Sequence, residues 1–159
     1  MSLSHVDESG RARMVDVAAK PVSRRTAVAE GVVRMSHEAF DLVSRNEIAK
    51  GDVLRIAEVA GVMGGKRTAD LVPLCHPVAL DALIVECSAE VELPGVRVTA
   101  SAVASGRTGV EMEALSAVAV ACLTVYDMVK AVDRSMVIGE IRLLEKTGGT
   151  RGDWRRAEG

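Results

Sequence analysis

The longest apolar stretch of the sequence, residues 114–126, is interrupted only by Ser116 and Thr124 and ends at Asp127. It is too short to cross a bilayer, which takes roughly 20 apolar residues. Thr108 and Glu111, just before it, form the T-x-x-E pattern of a capping box, which predicts a helix from Thr108 to about Val132. Because this helix is apolar on nearly every side, we expect both a sheet and a second subunit to bury it.

A β-hairpin is predicted ahead of that helix. In residues 85–93 apolar side chains alternate with Glu and Ser. This period of two is typical of a strand with one solvent-exposed face. Pro94 and Gly95 then indicate a turn, and residues 96–102 alternate in the same way. A two-residue loop would place Glu92 opposite Arg97.

The remaining elements complete an α+β pattern. Residues 25–35 read as a strand, Ser36 and Asp52 as caps of two helices, and residues 136–144 as a last strand. The order predicts a ferredoxin-like βαββαβ fold, with an antiparallel sheet packed on helices and an extra N-terminal arm. We expect a single α+β domain over residues 1–146, with residues 1–20 as the arm and residues 147–159 as a flexible tail.

Composition excludes several classes of protein. The chain has 20 Lys and Arg against 22 Asp and Glu, so general affinity for nucleic acid or for an anionic membrane is not expected. Aromatic residues make up 2%, which argues against binding of single-stranded RNA by stacking. The three cysteines form no CxxC pair, so neither a disulfide framework nor a zinc finger is expected. The charged N-terminus is unlike a signal peptide, and the expected location is cytoplasmic.

Asp127 and Lys130 are three residues apart on the predicted long helix and therefore share one face. Such a pair is most often a surface ion pair worth less than about 1 kcal/mol. Here it follows the apolar stretch, so partial burial would allow the lysine to act as an acid or base.

Other charged residues stand beside Gly or Pro. Glu111 and Glu113 suit the positive end of a helix, and Glu113 is also free to accept hydrogen bonds from a purine-like N–H edge. Cys75 and His76 lie between two prolines. A metal site would need a third ligand, and the sequence indicates none. Residues 64–67 and 146–149 are Gly-rich and basic, so either segment is a candidate phosphate contact, although taken alone each is more typical of a helix end or an exposed turn.

Glu113 and Asp127 are 14 residues apart on one predicted helix, or about 21 Å. One small ligand cannot contact both in a single chain. If both are functional, the simplest arrangement is an antiparallel helix pair across a two-fold axis.

Together these segments resemble the cyclic pyranopterin monophosphate synthase family, the molybdenum cofactor biosynthesis protein C family. The resemblance covers about residues 5 to 150, and its most specific parts are PLCHP at residues 73–77 and TGVEMEAL at residues 108–115. Further matching segments are residues 5–7, 14–17, 50–53, 66–68, 123–128, 130–131 and 146–149.

The resemblance implies a homohexamer, built as a trimer of dimers with active sites at the dimer interface. It implies the lyase reaction that converts 3′,8-cyclo-7,8-dihydroguanosine 5′-triphosphate into cyclic pyranopterin monophosphate and diphosphate, an early step of molybdenum cofactor biosynthesis. The implied catalytic residues are Asp127, Lys50 and Lys130. The implied substrate-binding residues are Asp16, Lys20, Arg25, Lys66, Leu74, Cys75, His76, Glu111, Met112, Glu113 and Lys146.

Two alternatives stay open at this point. A non-enzymatic, nucleotide-sensing ferredoxin-like oligomer would keep the basic phosphate-binding residues without needing Lys50 and Lys130 together. A Cys/His metal protein would purify with bound metal. For the enzyme we expect no tightly bound cofactor and no protein metal site, with any Mg²⁺ arriving on the triphosphate.

Overall fold

A computed structural model describes residues 9–150 and 152–157 of the chain. The segment 5–7 that contributed to the resemblance, and the first part of the predicted arm, lie outside the described residues. The elements in chain order are β1 (Ser23–Arg34), α1 (His37–Ser44), α2 (Val53–Lys66), α3 (Thr68–Leu71), β2 (Ala82–Glu90), β3 (Gly95–Gly106), α4 (Glu111–Val129), β4 (Val137–Thr147) and β5 (Trp154–Arg155).

The strands form one five-stranded sheet in the order β2-β3-β1-β4-β5, and neighbouring strands are antiparallel. The helices α2 and α4 pack on one face of this sheet. The predicted α+β, ferredoxin-like architecture is confirmed. On the opposite face Glu30 is held by Arg97 at 3.1 Å and by Arg142 at 2.7 Å, which gives the sheet a polar side.

The hairpin forms, but the predicted register is wrong. Glu90 lies opposite Gly95, and Ser88 rather than Glu92 lies opposite Arg97. Residues 91–94 therefore make a longer turn than the expected two-residue loop. The shift preserves the alternation of faces, so Val85 still points to the core. Arg97 forms an ion pair with Glu90 instead, with its Nε 2.8 Å from the Glu90 carboxylate.

The helix α4 begins at Glu111 rather than at Thr108, so the predicted capping box is wrong. Its N-cap is Val110, which makes no side-chain capping hydrogen bond. Glu111 instead pairs with Lys146 at 3.4 Å. By length and composition α4 would also suit a membrane span, but half of that stretch is buried in the fold, against α2 and the sheet.

Three glycines allow α2 to approach α4 closely. A Cβ at Gly64 would lie 2.5 Å from a methyl of Val120, and one at Gly65 would lie 2.9 Å from the carbonyl oxygen of Glu113. Gly61 faces Ala117 in the same way. The glycines at 64 and 65 thus serve packing at the C-terminal end of a helix, where carbonyl groups face outwards, and do not form the phosphate-binding loop considered from the sequence.

At the C-terminus, β4 extends to Thr147, beyond the expected end at residue 144. The short β5 then pairs with it, Trp154 opposite Lys146. The proposed domain boundary and the flexibility of residues 147–159 stay predictions.

Candidate active site

Lys50, Asp127 and Lys130 meet at the C-terminal end of α4. The Asp127 carboxylate lies 3.0 Å from Nζ of Lys50 and 2.6 Å from Nζ of Lys130. All three side chains are about half exposed, so the cluster opens to the surface. The structure therefore brings together the three residues to which the resemblance assigns catalysis.

The chain places Lys50 by two local features. Gly51 follows with a positive φ of 110°, and Asp52 then caps α2 by accepting from the Arg55 backbone N–H at 3.1 Å. From this turn Lys50 also donates a hydrogen bond to the backbone carbonyl of Asp127 at 2.7 Å. That carbonyl is in the last turn of α4, where carbonyls lack helical partners and a cation is favourable.

The two ammonium groups keep the carboxylate ionised. Hydrogen bonds from the two lysines lower the pKa of Asp127 to about 2, and the bond from Lys130 contributes more than the bond from Lys50. A carboxylate between two lysines is able to orient both amines and to balance the charge when one of them gains or loses a proton. This arrangement suits proton transfer at a bound molecule.

Replacing Lys130 with Ala should raise the pKa of Asp127 toward its ordinary value of 3.8, because Lys130 makes the largest contribution to the shift. A ¹³C NMR titration of the carboxyl group measures the midpoint directly. Since the folded pKa is depressed, the ion pairs favour the fold above about pH 4 and lose this effect as the pH falls toward 2. An unchanged midpoint in the variant would contradict the assignment.

A second candidate region lies at the opposite end of α4. It is a cleft of about 270 Å³, bounded by the 15–20 segment, β1, the β3–α4 turn and the end of β4. Its charged and imidazole-bearing lining residues are Lys20, Arg25, His76, Arg107, Glu111 and Lys146. Glu111, the one carboxylate in this set, is paired with Lys146. The excess of positive charge makes the cleft a suitable anion site.

Arg25 is the most buried cation of this cleft, with 7% of its surface exposed. Its Nε donates to the carbonyl of Gly106 at 3.3 Å, while its Nη2 is buried without a hydrogen-bond partner among the described residues. Gly148 and Gly149 both have positive φ, and a Cβ at Gly149 would overlap the Arg25 guanidinium. The two glycines thus leave room for Arg25, whose unpaired donor suits a phosphate oxygen.

Glu113 and Lys66 line a smaller pocket of about 150 Å³ next to this end of α4. Burial raises the pKa of Glu113, a hydrogen bond from its own backbone N–H opposes this, and nearby Glu111 raises it further. Burial and the nearby Glu113 carboxylate raise the pKa of the Cys75 thiol, which makes it a poor nucleophile at neutral pH.

The other predicted substrate-binding residues are less tightly grouped. Leu74 is half-buried, and Met112 is exposed at the start of α4. Asp16 does not line the cleft; its Oδ1 accepts from the Ala18 backbone N–H at 2.8 Å and so shapes the neighbouring turn. Within residues 9–150 and 152–157, no group of three His, Cys, Asp or Glu side chains is placed to hold a metal ion.

Sequence reasoning missed Arg107, which lines the cleft beside Thr26 and Thr147. The available signal was its position directly before the TGVEMEAL segment. The structure does not bring the cleft and the Asp127 cluster together in one chain, because about 21 Å of helix separates Glu113 from Asp127.

Comparison with known proteins gives consistent matches. A sequence model described as "MoaC family" matches residues 14–149. A protein of Cereibacter sphaeroides named cyclic pyranopterin monophosphate synthase is 59% identical over 150 residues, covering 94% of each chain. Proteins with the same name from Brucella ovis and Brucella canis are 56% and 55% identical over 152 residues, covering 96% of this chain and 92% of theirs.

Proposed function

The chain belongs to the MoaC family, and we propose that it has cyclic pyranopterin monophosphate synthase activity, a lyase reaction of molybdenum cofactor biosynthesis. The observation that carries this proposal is the Lys50–Asp127–Lys130 cluster in a chain more than half identical to proteins of that name. The substrate is 3′,8-cyclo-7,8-dihydroguanosine 5′-triphosphate, and the products are cyclic pyranopterin monophosphate and diphosphate.

The cluster at the end of α4 suits the ring chemistry of this reaction. Opening and reclosing the base and sugar rings requires protons to be moved at carbon, nitrogen and oxygen. Lys50 and Lys130 lie on opposite oxygens of one carboxylate, so each amine is held in place by Asp127 while about half of its side chain stays exposed. In the proposal these two amines exchange protons with the substrate, and Asp127 orients them.

The basic cleft suits the phosphate chemistry. A sugar hydroxyl attacks the α-phosphorus, the cyclic phosphate forms, and diphosphate leaves with its negative charge. Arg25, Lys20 and Lys146 line the cleft, and in the proposal their positive charges stabilise the departing diphosphate. In the proposal Glu113 and Cys75, which are near enough to each other for Glu113 to raise the pKa of Cys75, contact the purine-derived part of the substrate.

The two regions form one active site only if two copies of the chain contribute to it. We propose a dimer in which each site takes the cleft from one copy and the Asp127 cluster from the other, within a homohexamer built of three such dimers. Exposed apolar side chains on the two packed helices support an interface there: Ile56, Val59 and Met63 on α2, and Leu123 on α4.

The proposal includes no tightly bound cofactor, no nucleic-acid partner and a cytoplasmic location. Mg²⁺ enters as the counterion of the triphosphate rather than in a protein cage. The competing nucleotide-sensing function would use the basic cleft alone, and it gives no reason for the pairing of Asp127 with both Lys50 and Lys130.

A genetic experiment separates these functions. A bacterium deleted for its own cyclic pyranopterin monophosphate synthase should regain molybdoenzyme activity when it expresses this chain. The Lys50→Ala variant at the same expression level serves as the comparison and should not restore activity. Failure of the folded parent chain to complement would contradict the proposed function.

A further inference from the structure

The β3–α4 turn carries a cation that the proposed reaction has not yet used. Arg107 lies just after β3, and its side chain lines the anion cleft together with Lys20 and Arg25. Its Nε donates a hydrogen bond to the backbone carbonyl of Lys20 at 3.1 Å. The contact joins residues 87 apart in the sequence, so it links the segment ahead of β1 to the body of the fold.

The segment that receives this bond is a compact turn. The Asp16 carboxylate accepts from Ala18 at 2.8 Å, and the Lys20 backbone N–H donates to the carbonyl of Val17 at 3.0 Å. Pro21 follows, with a fixed φ and no N–H. The turn therefore has its own internal hydrogen bonds, while Arg107 fixes it against the cleft.

We propose that Arg107 is a positioning residue, which holds the carbonyl of Lys20 and so keeps the 16–20 turn in place as one wall of the anion cleft. This inference rests on the proposed function and adds one residue to those that determine how the phosphate groups of the substrate are bound. By fixing the Lys20 backbone, Arg107 presents the Lys20 ammonium group to a polyphosphate. Its loss should weaken phosphate binding rather than slow the chemical step, because the proton-transfer cluster is at the other end of α4.

The geometry needs arginine in particular. Only a guanidinium carries an Nε–H that is able to point sideways to a carbonyl while its terminal nitrogens keep their charge in the cleft. Lysine at this position would preserve the charge, but its single ammonium group could not both donate to this carbonyl and keep its charge in the cleft. The variant Arg107→Lys thus separates backbone anchoring from simple positive charge, and Arg107→Met removes both.

Arg45 provides a matched control. Its Nε also donates to a backbone carbonyl, that of Asp41 at 3.3 Å, but on α1 and away from the cleft. For Arg107→Lys, Arg107→Met and Arg45→Lys we would measure kcat and KM, the Kd for inorganic diphosphate, and hydrogen exchange in a peptide covering residues 16–22.

Arg107→Lys should raise KM and the diphosphate Kd about tenfold, the size expected for one lost hydrogen bond at a charged site, with kcat within about twofold. Exchange at Ala18 to Lys20 should become faster, Arg107→Met should show the larger effect on Kd, and Arg45→Lys should change none of these. Unchanged exchange and Kd in Arg107→Lys would overturn the inference, as would a fall in kcat at constant KM. If the parent binds diphosphate but makes no product, the proposed function fails, while exchange and Kd still decide the role of Arg107.

Discussion

Replacing Asp127 with Asn should lower kcat by about 10²- to 10⁴-fold, the usual contribution of positioned acid–base groups. The substitution keeps the shape of the side chain but removes the charge between Lys50 and Lys130, whose Nζ atoms lie 3.0 and 2.6 Å from it. Two ammonium groups then face each other without a counterion, so their mutual repulsion is no longer offset and their positions loosen. Steady-state kinetics on the purified variant measures the loss.

A matched control for this substitution is Asp41→Asn. Asp41 is an exposed aspartate on α1 that takes no part in the ion pairs of Asp127 with Lys50 and Lys130. The Asp41→Asn variant should leave kcat and KM unchanged. Because Asp127 is exposed, the Asp127→Asn variant should remain folded, which circular dichroism and thermal melting check. A folded variant whose kcat stays within threefold of the parent would remove Asp127 from the chemistry.

The second large effect is recovery of activity in mixed oligomers. Glu113→Ala and Asp127→Ala should each inactivate the chain, because each removes one end of every site. When the two variants are co-assembled in equal amounts, half of the dimers are mixed, and each mixed dimer regains one complete site. Activity should therefore return to about a quarter of the parent value.

The reciprocal mixture sharpens this experiment. A chain with both substitutions, co-assembled with an equal amount of the parent chain, has no complete site in any mixed dimer if sites are shared. Activity is then about a quarter, whereas sites contained within one chain would give about half. No recovery in the first mixture, with mixed oligomers verified by mass spectrometry of differently tagged chains, would contradict the shared site.

The fold was largely predictable because its signals are periodic. The alternation in residues 85–102 and the apolar stretch of α4 gave the strands and the long helix. The hairpin register was not predictable in the same way, because a turn of residues 91–94 preserves the same alternation of side chains as the expected shorter loop. The capping box failed because α4 begins after Val110 rather than after Thr108, and Glu111 pairs instead with Lys146, which is distant in the sequence.

The candidate site was predictable only in part from the residues themselves. Asp127 and Lys130 follow from helical spacing, but Lys50 is 77 residues from Asp127 and entered only through the family resemblance. Arg107 had no motif of its own, and its role depends on the Lys20 turn returning to the β3–α4 junction. Contacts of this kind are set by tertiary structure and leave no local pattern.

The most direct test of the account is turnover by the purified chain. It is incubated with 3′,8-cyclo-7,8-dihydroguanosine 5′-triphosphate, and diphosphate is quantified together with the fluorescent oxidation product of the pyranopterin. We predict that both products form in equal amounts, and that Lys50→Ala and Asp127→Ala form neither. Tight binding of the substrate by the parent chain, with no diphosphate and no pterin formed, would contradict the account and favour a nucleotide-sensing protein.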